Sequence, residues 1–297
     1  MSHRLEFLDE PGAFLEAAGE YLAGAPVVST VVTTYAERLR RHGQDPVDFP
    51  RWWLVVRDDA GVVVGAGMRT APFLPHPVYL LPMPDEAAAE LARVVSGRGE
   101  ELGGVNGALP AVRVLAEEYA GLTGRSAQVE MHTRLFEVTE VVAARPVVGS
   151  LRLACADYDD DVAVALEWYR RFAAEAAEQA GREHPVDHGG PRHRDEVLRR
   201  IDDGCVWFWV GDRGERVHLT GANPPAYGVV RVGPVFTPRQ HRGRGYASAA
   251  VAAVSQRLLR DGNRVCLFTD QANPTSNHIY TELGYRAVVD QANLVIG

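Results

Sequence analysis

Apolar and polar positions along the chain alternate between two periods. Residues 12–24 place apolar side chains at helical steps, and a second helix is expected from about Val27 to Arg41. Two β-rich runs come next, Trp52–Arg57 and Val62–Met68, separated by Asp58-Asp59-Ala60-Gly61. A short polar tract ending in glycine between such runs predicts a hairpin. Pro77–Pro82 predicts a further short strand, and Pro84 or Asp85 opens a helix to about Val95. Gly104–Ala108 predicts a strand, Pro110–Gly121 a helix with proline near its start, and Gln128–Val138 an extended segment.

The second half repeats this order. Val206-Trp207-Phe208-Trp209-Val210 with its Gly211–Gly214 turn resembles Trp52–Val56 with its own turn, and the offset of roughly half the chain suggests duplication. Ala143–Gly149, with proline, glycine and no periodicity, marks the boundary between a first domain over 1–143 and a second over 150–297. In the second domain, Asp157–Gly181 reads as one long helix or two, Glu183–His193 as a loop and Arg194–Asp203 as a short helix. Cys205–Val210 and Arg216–Thr220 make the hairpin, and a strand runs from Tyr227 to Thr237. Pro234 inside that strand has no N–H to donate, so it marks a bulge or an unpaired edge.

The chain is organised around one turn. Gln240-His241-Arg242-Gly243-Arg244-Gly245 lies between that strand and a helical run beginning Tyr246-Ala247-Ser248. A glycine-containing turn there aims free backbone N–H groups and the positive end of a helix at one point, where an anion sits well. Gly243 and Gly245 allow left-handed backbone and close approach, and Arg242 and Arg244 add charge. The turn reads as a diphosphate cradle. Downstream, strand Arg264–Thr269 leads to Asn273-Pro274, a good helix N-cap with proline at the first helical position. Tyr280 lies about two helical turns on, Gly284 is the expected C-cap, and Tyr285 starts the last strand, Arg286–Ile296.

Gln-x-x-Gly-x-Gly between strand and helix, with Asn273, Tyr280 and Gly284-Tyr285 behind it, resembles the acyl-CoA region of the GNAT superfamily of N-acetyltransferases. The resemblance covers about residues 205–297. It implies an α/β (α+β) fold: two GNAT-like domains in tandem, each a mixed, mostly antiparallel sheet flanked by helices, with central parallel strands splayed in the C-terminal copy. It implies acetyl-CoA or another acyl-CoA as co-substrate, with no metal. Backbone of Val235, Phe236 and Thr237 would bond the pantetheine amides, and a backbone N–H near Val235 the oxyanion. Gln240, His241, Arg242, Gly243, Arg244, Gly245, Tyr246 and Ala247 would hold the diphosphate, Asn273 and Ser276 the arm, and Tyr280 would protonate the leaving thiolate. In the first half the cradle's position is held by Pro82-Met83-Pro84-Asp85-Glu86. Two prolines without N–H, no glycine and two carboxylates would repel a diphosphate, so that copy reads as degenerate, shaping an acceptor pocket or supporting the fold. The strand carrying Arg231 offers no acid, and the candidates for a general base are Asp270 and His218.

Composition narrows the chemistry. The chain has no lysine, which excludes Schiff-base chemistry, a Ser-Lys dyad and a Walker A lysine. Net charge of −8 argues against nucleic acid as the main partner, although Arg239, His241, Arg242 and Arg244 cluster. No apolar run is long enough for a membrane span, and residues 1–10 lack the apolar core of a signal peptide. Cys155, Cys205 and Cys266 have no metal spacing, and buried thiols in a cytoplasmic protein are expected. His184, His188 and His193 make a metal site conceivable in the 183–193 loop, against a solvated loop near the acceptor. The expected partner is a small-molecule or peptide amine, with the protein a monomer or homodimer. Three other readings stay open. One is a non-catalytic acyl-CoA sensor or interaction module. Another is a dinucleotide enzyme, since Gly243-Arg244-Gly245-Tyr246-Ala247-Ser248 is a near miss to Gly-x-Gly-x-x-Gly with Asp270 ending the next strand. The third is a two-copy acetyltransferase of thiol-conjugate biosynthesis, which no residue here selects.

Overall fold

The computed structural model describes residues 3–44, 46–181, 191 and 193–297. They fall into two compact units, Met1–Leu135 with Val288–Gly297, and Phe136–Ala287.

In the first unit, β1 (Arg4–Leu8), α1 (Pro11–Ala17), α2 (Gly19–Gly24) and α3 (Thr30–His42) precede the hairpin β2 (Trp52–Arg57) and β3 (Val63–Arg69). Then come β4 (Val78–Leu80), α4 (Asp85–Gly97), β5 (Gly104–Ala108), α5 (Ala111–Thr123) and β6 (Ala127–Val138). The final strand of the chain, β12 (Arg286–Ile296), is antiparallel to β5, and the strand order is β1-β2-β3-β4-β5-β12-β6. Only β4 and β5, of the pairs with a defined register here, run parallel. Alternation on β2 sends Trp52, Leu54 and Val56 to one face, where Ala87, Leu91 and Val95 of α4 meet them at helical spacing. Inside this core Glu100 accepts from Trp52 Nε1 and from Arg69 Nη1, both at 2.9 Å.

The second unit comprises β7 (Ser150–Leu153), α6 (Asp159–Gln179), α7 (Arg194–Asp202), β8 (Val206–Val210), β9 (Arg216–Ala222) and β10 (Val229–Phe236). A 3-10 turn at Arg239–His241 leads to α8 (Tyr246–Arg260), β11 (Arg264–Asp270) and α9 (Pro274–Glu282). The strand order is β7-β8-β9-β10-β11, with β10 and β11 parallel and β7 to β10 antiparallel. This repeats hairpin, strand, helix, parallel strand, helix from the first unit. The two hairpins share a detail: each has a register shift at its turn end, between Val56 and Arg57 and between Trp209 and Val210. The expected mixed, mostly antiparallel architecture with flanking helices is therefore present.

Helices cover both faces of the second sheet. Phe208 and Leu219 pack with Val162, Trp168 and Tyr169 of α6 and Val197 and Ile201 of α7. Trp207, Val230 and Val232 pack on the other face with Val251, Val254 and Leu258 of α8 and with Tyr280. Asp161, at the start of α6, is closed off from solvent and holds Arg152 bidentately, with Arg216 and the Cys155 N–H as further donors. Burial pushes its carboxyl pKa up, but these donors outweigh that and leave it below the ordinary value.

Two differences from the sequence expectations stand out, and one alternative is resolved. The 12–24 helix is broken at Ala18, whose ψ of 2° starts α2 anew. The 157–181 segment, expected as one helix or two, holds a single helix of 21 residues. The edge strands β1 and β7 carry no strong alternation, since a five- and a four-residue strand are ordered by their neighbours β2 and β8. Cys205 and Cys266 are buried as expected, and burial raises the Cys205 thiol to about 11, so it is an inert side chain. No helix among the described residues is long and apolar enough to cross a membrane.

Candidate functional site

Strand β10 defines the site through a break in its own register. Val232 faces Ala222 of β9, and the next pair is Val235 with Thr220. Three steps on β10 therefore match two on β9, which is a one-residue bulge, and Gly233-Pro234 occupies it. Proline cannot donate, so the ladder has no bond to lose there. The bulge also exchanges faces. Val232 packs toward α8, whereas Phe236, an even number of residues on, packs with Trp168 on the α6 face. On its other side β10 pairs with β11 only from Val229–Arg264 to Val232–Leu267. Beyond that both strands continue, to Phe236 and Asp270, without a pair between them. This is the expected splay. The first unit has none: a Cβ on Gly107 of β5 would collide with the Leu80 carbonyl, so β4 and β5 stay in contact.

Next to the splay the turn carries its donors. Gly243 and Gly245 take φ of 73° and 82°, and the N-cap of α8, Gly245, has no side-chain cap. The first helical bond runs from Ala249 to Gly245, which leaves the Tyr246, Ala247 and Ser248 N–H groups without an intrahelical acceptor. Gly243, Arg244 and Gly245 are exposed, and nothing lies within 4 Å of where a Gly243 Cβ would stand. An anion can reach this end of the helix unobstructed. Gln240 is exposed, while Tyr246 and Ala247 are half-buried. His241 is half-buried too, with no hydrogen bond to its buried Nδ1.

The two arginines of the turn separate. Arg242 points back: Nε donates to the Thr237 carbonyl at 3.0 Å, Nη2 pairs with Glu175 of α6, and Gln179, with its amide oxygen turned to the guanidinium, accepts at 2.9 and 3.1 Å. Arg239 pairs with Glu178 of the same helix. Arg242 thus braces the turn and spends much of its charge on Glu175. Arg244 stays at the surface with no ion pair among the described residues. Sequence reading did not find Glu175 or Gln179. Glu167, Arg171 and Glu175 form a legible series at steps of four, but nothing local says that Glu175 also meets Arg242.

Asn273 is the N-cap of α9, as predicted, accepting from the Ser276 N–H at 3.1 Å. Tyr280 is buried in the cluster that holds Val232 and Leu267, the last paired residues before the splay. Its ring lies 5.9 Å from that of Tyr285, whose hydroxyl is 2.7 Å from Ser255 Oγ. Burial raises the Tyr280 phenol well above its ordinary pKa, so it is protonated at neutral pH.

The two candidate bases are otherwise employed. His218 is fully buried, with Nδ1 2.7 Å from Thr237 Oγ1 and Nε2 2.8 Å from Thr220 Oγ1. Burial lowers its pKa to about 3, so it is a neutral tie between β9 and the end of β10 and a weak base. Asp270 Oδ1 accepts from the Ala272 N–H at 2.9 Å and shapes the turn before α9. Of the three loop histidines, His184 and His188 lie outside the described residues, and His193 starts α7, its N–H donating to Glu196. After Asp270 come α9 and β12, and β12 runs antiparallel to β5, unlike the parallel strands of a dinucleotide-binding sheet.

Comparison with known proteins agrees with this geometry. Residues 226–294 match the family described as FR47-like protein. No curated protein matches the chain. A Drosophila protein superposes with a TM-score of 0.64 at 12% identity, covering 99% of each chain. A GCN5-related N-acetyltransferase from Sphaerobacter thermophilus superposes with 0.59 at 18% identity, over 98% of this chain and 94% of that one. A tandem GNAT protein from the clavulanic acid biosynthesis pathway gives 0.54 at 16% identity, over 99% and 98%. The chain thus has the fold of these GNAT proteins, and its residues over β10, α8, β11 and α9 match the FR47-like family.

Proposed function

We propose that the protein transfers an acetyl or other acyl group from acyl-CoA to an amine. The observation that carries this reading is one juxtaposition. An uncapped helix N-terminus behind two positive-φ glycines adjoins the point where β10 and β11 part. The turn takes a diphosphate on N–H donors, and the open edge of β10 beyond Val232 offers backbone groups to an amide-bearing arm. The residues fit such a ligand, since no side chain fills the approach to Gly243. Asn273 and Ser276 border the arm.

The amine nitrogen forms a bond to the acyl carbon as the carbon–sulfur bond breaks, and the proton lost by the amine matches the one gained by the thiolate. A backbone N–H near Val235 would stabilise the oxyanion. Tyr280 holds the proton for the sulfur, and its burial keeps that proton in place until a thiolate develops beside it. Holding both reactants in line supplies much of the acceleration.

Titration calorimetry with acetyl-CoA and with NAD tests the ligand. Heat is expected with acetyl-CoA only, and no heat with any CoA form removes the proposal. Tyr280→Phe is expected to lower kcat roughly tenfold or more, the low end of general acid catalysis, with CoA affinity nearly unchanged. Steady-state rates on an accepted amine read this, and an unaltered kcat takes Tyr280 out of the mechanism. Binding of CoA without turnover across a broad amine panel would identify a sensor instead.

A further inference from the structure

The end of β10 carries a hydroxyl that the site has not yet used. Thr237 lies between the last residue of β10 and the 3-10 turn that opens the cradle. On one flank it meets β9 through His218, and on the other is the gap left where β10 and β11 part. The resemblance offers the Thr237 backbone to the arm of the cofactor, yet its carbonyl already accepts from Arg242 Nε at 3.0 Å. The side-chain hydroxyl is a second polar group at the same place. It faces the helix that carries the cradle. His218, Thr220 and Ala222 share one face of β9, and Ala222 packs in the same cluster as Val251 and Val254 of α8.

That hydroxyl is the outer end of a chain of three groups. Thr237 Oγ1 lies 2.7 Å from His218 Nδ1, and His218 Nε2 lies 2.8 Å from Thr220 Oγ1. His218 and Thr220 are fully buried, whereas Thr237 is half-buried. Neither threonine hydroxyl has another hydrogen-bond partner among the described residues. Burial keeps the imidazole neutral, so it has one N–H donor and one bare nitrogen acceptor. Two arrangements are open to it. With the proton on Nε2, the ring donates to Thr220 Oγ1, and the Thr220 O–H is left in the core with nothing to donate to. With the proton on Nδ1, Thr220 donates to Nε2 and the ring donates to Thr237 Oγ1. The second leaves no buried donor unpaired, so it is the more stable. Its consequence falls on Thr237. The hydroxyl oxygen is held by Nδ1–H, and its own hydrogen is left to donate outward.

We infer that the Thr237 hydroxyl donates a hydrogen bond to a carbonyl oxygen of the cofactor's arm, and that His218 and Thr220 are positioning residues that fix it as a donor. This rests on the proposed acyl transfer. With the diphosphate at the α8 turn and the thioester in the splay, the arm passes the end of β10 that joins them. Each amide of the arm offers a carbonyl oxygen, which needs a donor. A hydroxyl whose direction is set in advance has less to order when the ligand binds. The same chain of bonds accounts for an imidazole in a place where a base was sought. His218 accepts no proton from the substrate, and instead orients the one on Thr237.

Calorimetry on the full chain with CoA, and with ADP, which has linked phosphates and no such arm, tests this. Thr237→Val keeps the shape of the side chain and deletes the hydroxyl. It is expected to weaken CoA binding roughly fivefold, the worth of one neutral hydrogen bond, and to leave ADP binding as in the parent. Thr237→Ser restores the hydroxyl and is expected to bind CoA like the parent. Thr220→Val leaves Nε2 without a donor and lets the Thr237 hydroxyl turn inward, so CoA binding is expected to weaken by a smaller factor. Added to Thr237→Val it is expected to change nothing further, because the group it orients is gone. A purely structural role for the three residues predicts additive losses and an equal loss for ADP. Either result overturns the assignment, and so does a serine variant that binds CoA as weakly as the valine one. Thr237 is half-exposed, so its two variants carry the test even where Thr220→Val fails to fold. CoA binding that Thr237→Val leaves unchanged defeats this inference alone, whereas no CoA binding by the parent defeats the acyl-transfer reading beneath it.

Discussion

Gly245→Val is expected to weaken acetyl-CoA binding by roughly a hundredfold, about 2.7 kcal/mol. Two effects add. Gly245 has a φ of 82°, and a side chain in the left-handed region costs about 1–2 kcal/mol, more when β-branched. A Cβ there would also stand 3.0 Å from Val147 Cγ1, so the turn must shift to admit it. Any shift moves the N–H groups of Tyr246 to Ser248, the proposed donors to the cofactor's phosphates. Gly243→Ala separates the effects, because its φ of 73° is equally strained but its Cβ meets nothing within 4 Å. It is expected to weaken binding less. Calorimetric Kd values for the two variants check this, and a Gly245→Val protein that binds like the parent removes the turn from the cofactor site.

Glu100→Ala is expected to destabilise the first unit by about 3–5 kcal/mol, the range for removing one partner of a buried ion pair. Arg69 and Glu100 have side-chain exposures of only 4% and 5%. The glutamate takes Trp52 Nε1 and Arg69 Nη1 on one oxygen, and Arg98 approaches the other at 2.7 Å. The Glu100 main chain is held as well, its carbonyl accepting from the Tyr119 hydroxyl at 2.8 Å. Without the carboxylate, Arg69 is left charged and desolvated, with the Glu101 carbonyl as its remaining partner. Urea unfolding followed by tryptophan fluorescence reads the loss, since Trp52 and Trp53 lie in this core. Replacing Arg69 and Glu100 together by Met and Leu is expected to restore much of the stability, because the cost lies in the unpaired charge. A single substitution that leaves the midpoint in place contradicts this account of the core.

Much of the candidate site was legible because its signals are local. A glycine-bearing turn between strand and helix, and an asparagine before a proline, act through the backbone conformation of a few consecutive residues. Gly243, Gly245 and Asn273 take the conformations predicted for them. Pro234 likewise announced a bulge or an unpaired edge, because a missing N–H is a property of the residue itself, and the structure has the bulge. The two hairpins and the repeat were readable from β-rich apolar runs flanking short polar tracts that end in glycine.

What tertiary structure decided concerns partners distant in sequence. Arg242 looked like a phosphate ligand, and its main partner is Glu175, 67 residues away. His218 looked like a possible base, and two threonine hydroxyls together with full burial make it a neutral strut. The pairing of β12 with β5 joins segments far apart along the chain, and nothing in the β12 sequence names that neighbour. The bulge sends Phe236 to the α6 face, an outcome fixed only when β9 supplies two residues against three. By itself, then, the sequence determined the backbone-encoded parts: the elements, the glycine turn before α8 and the Asn273 cap. Packing decided which charges are neutralised and which face each side chain meets, because electrostatic and burial energies depend on neighbours that local propensity does not contain.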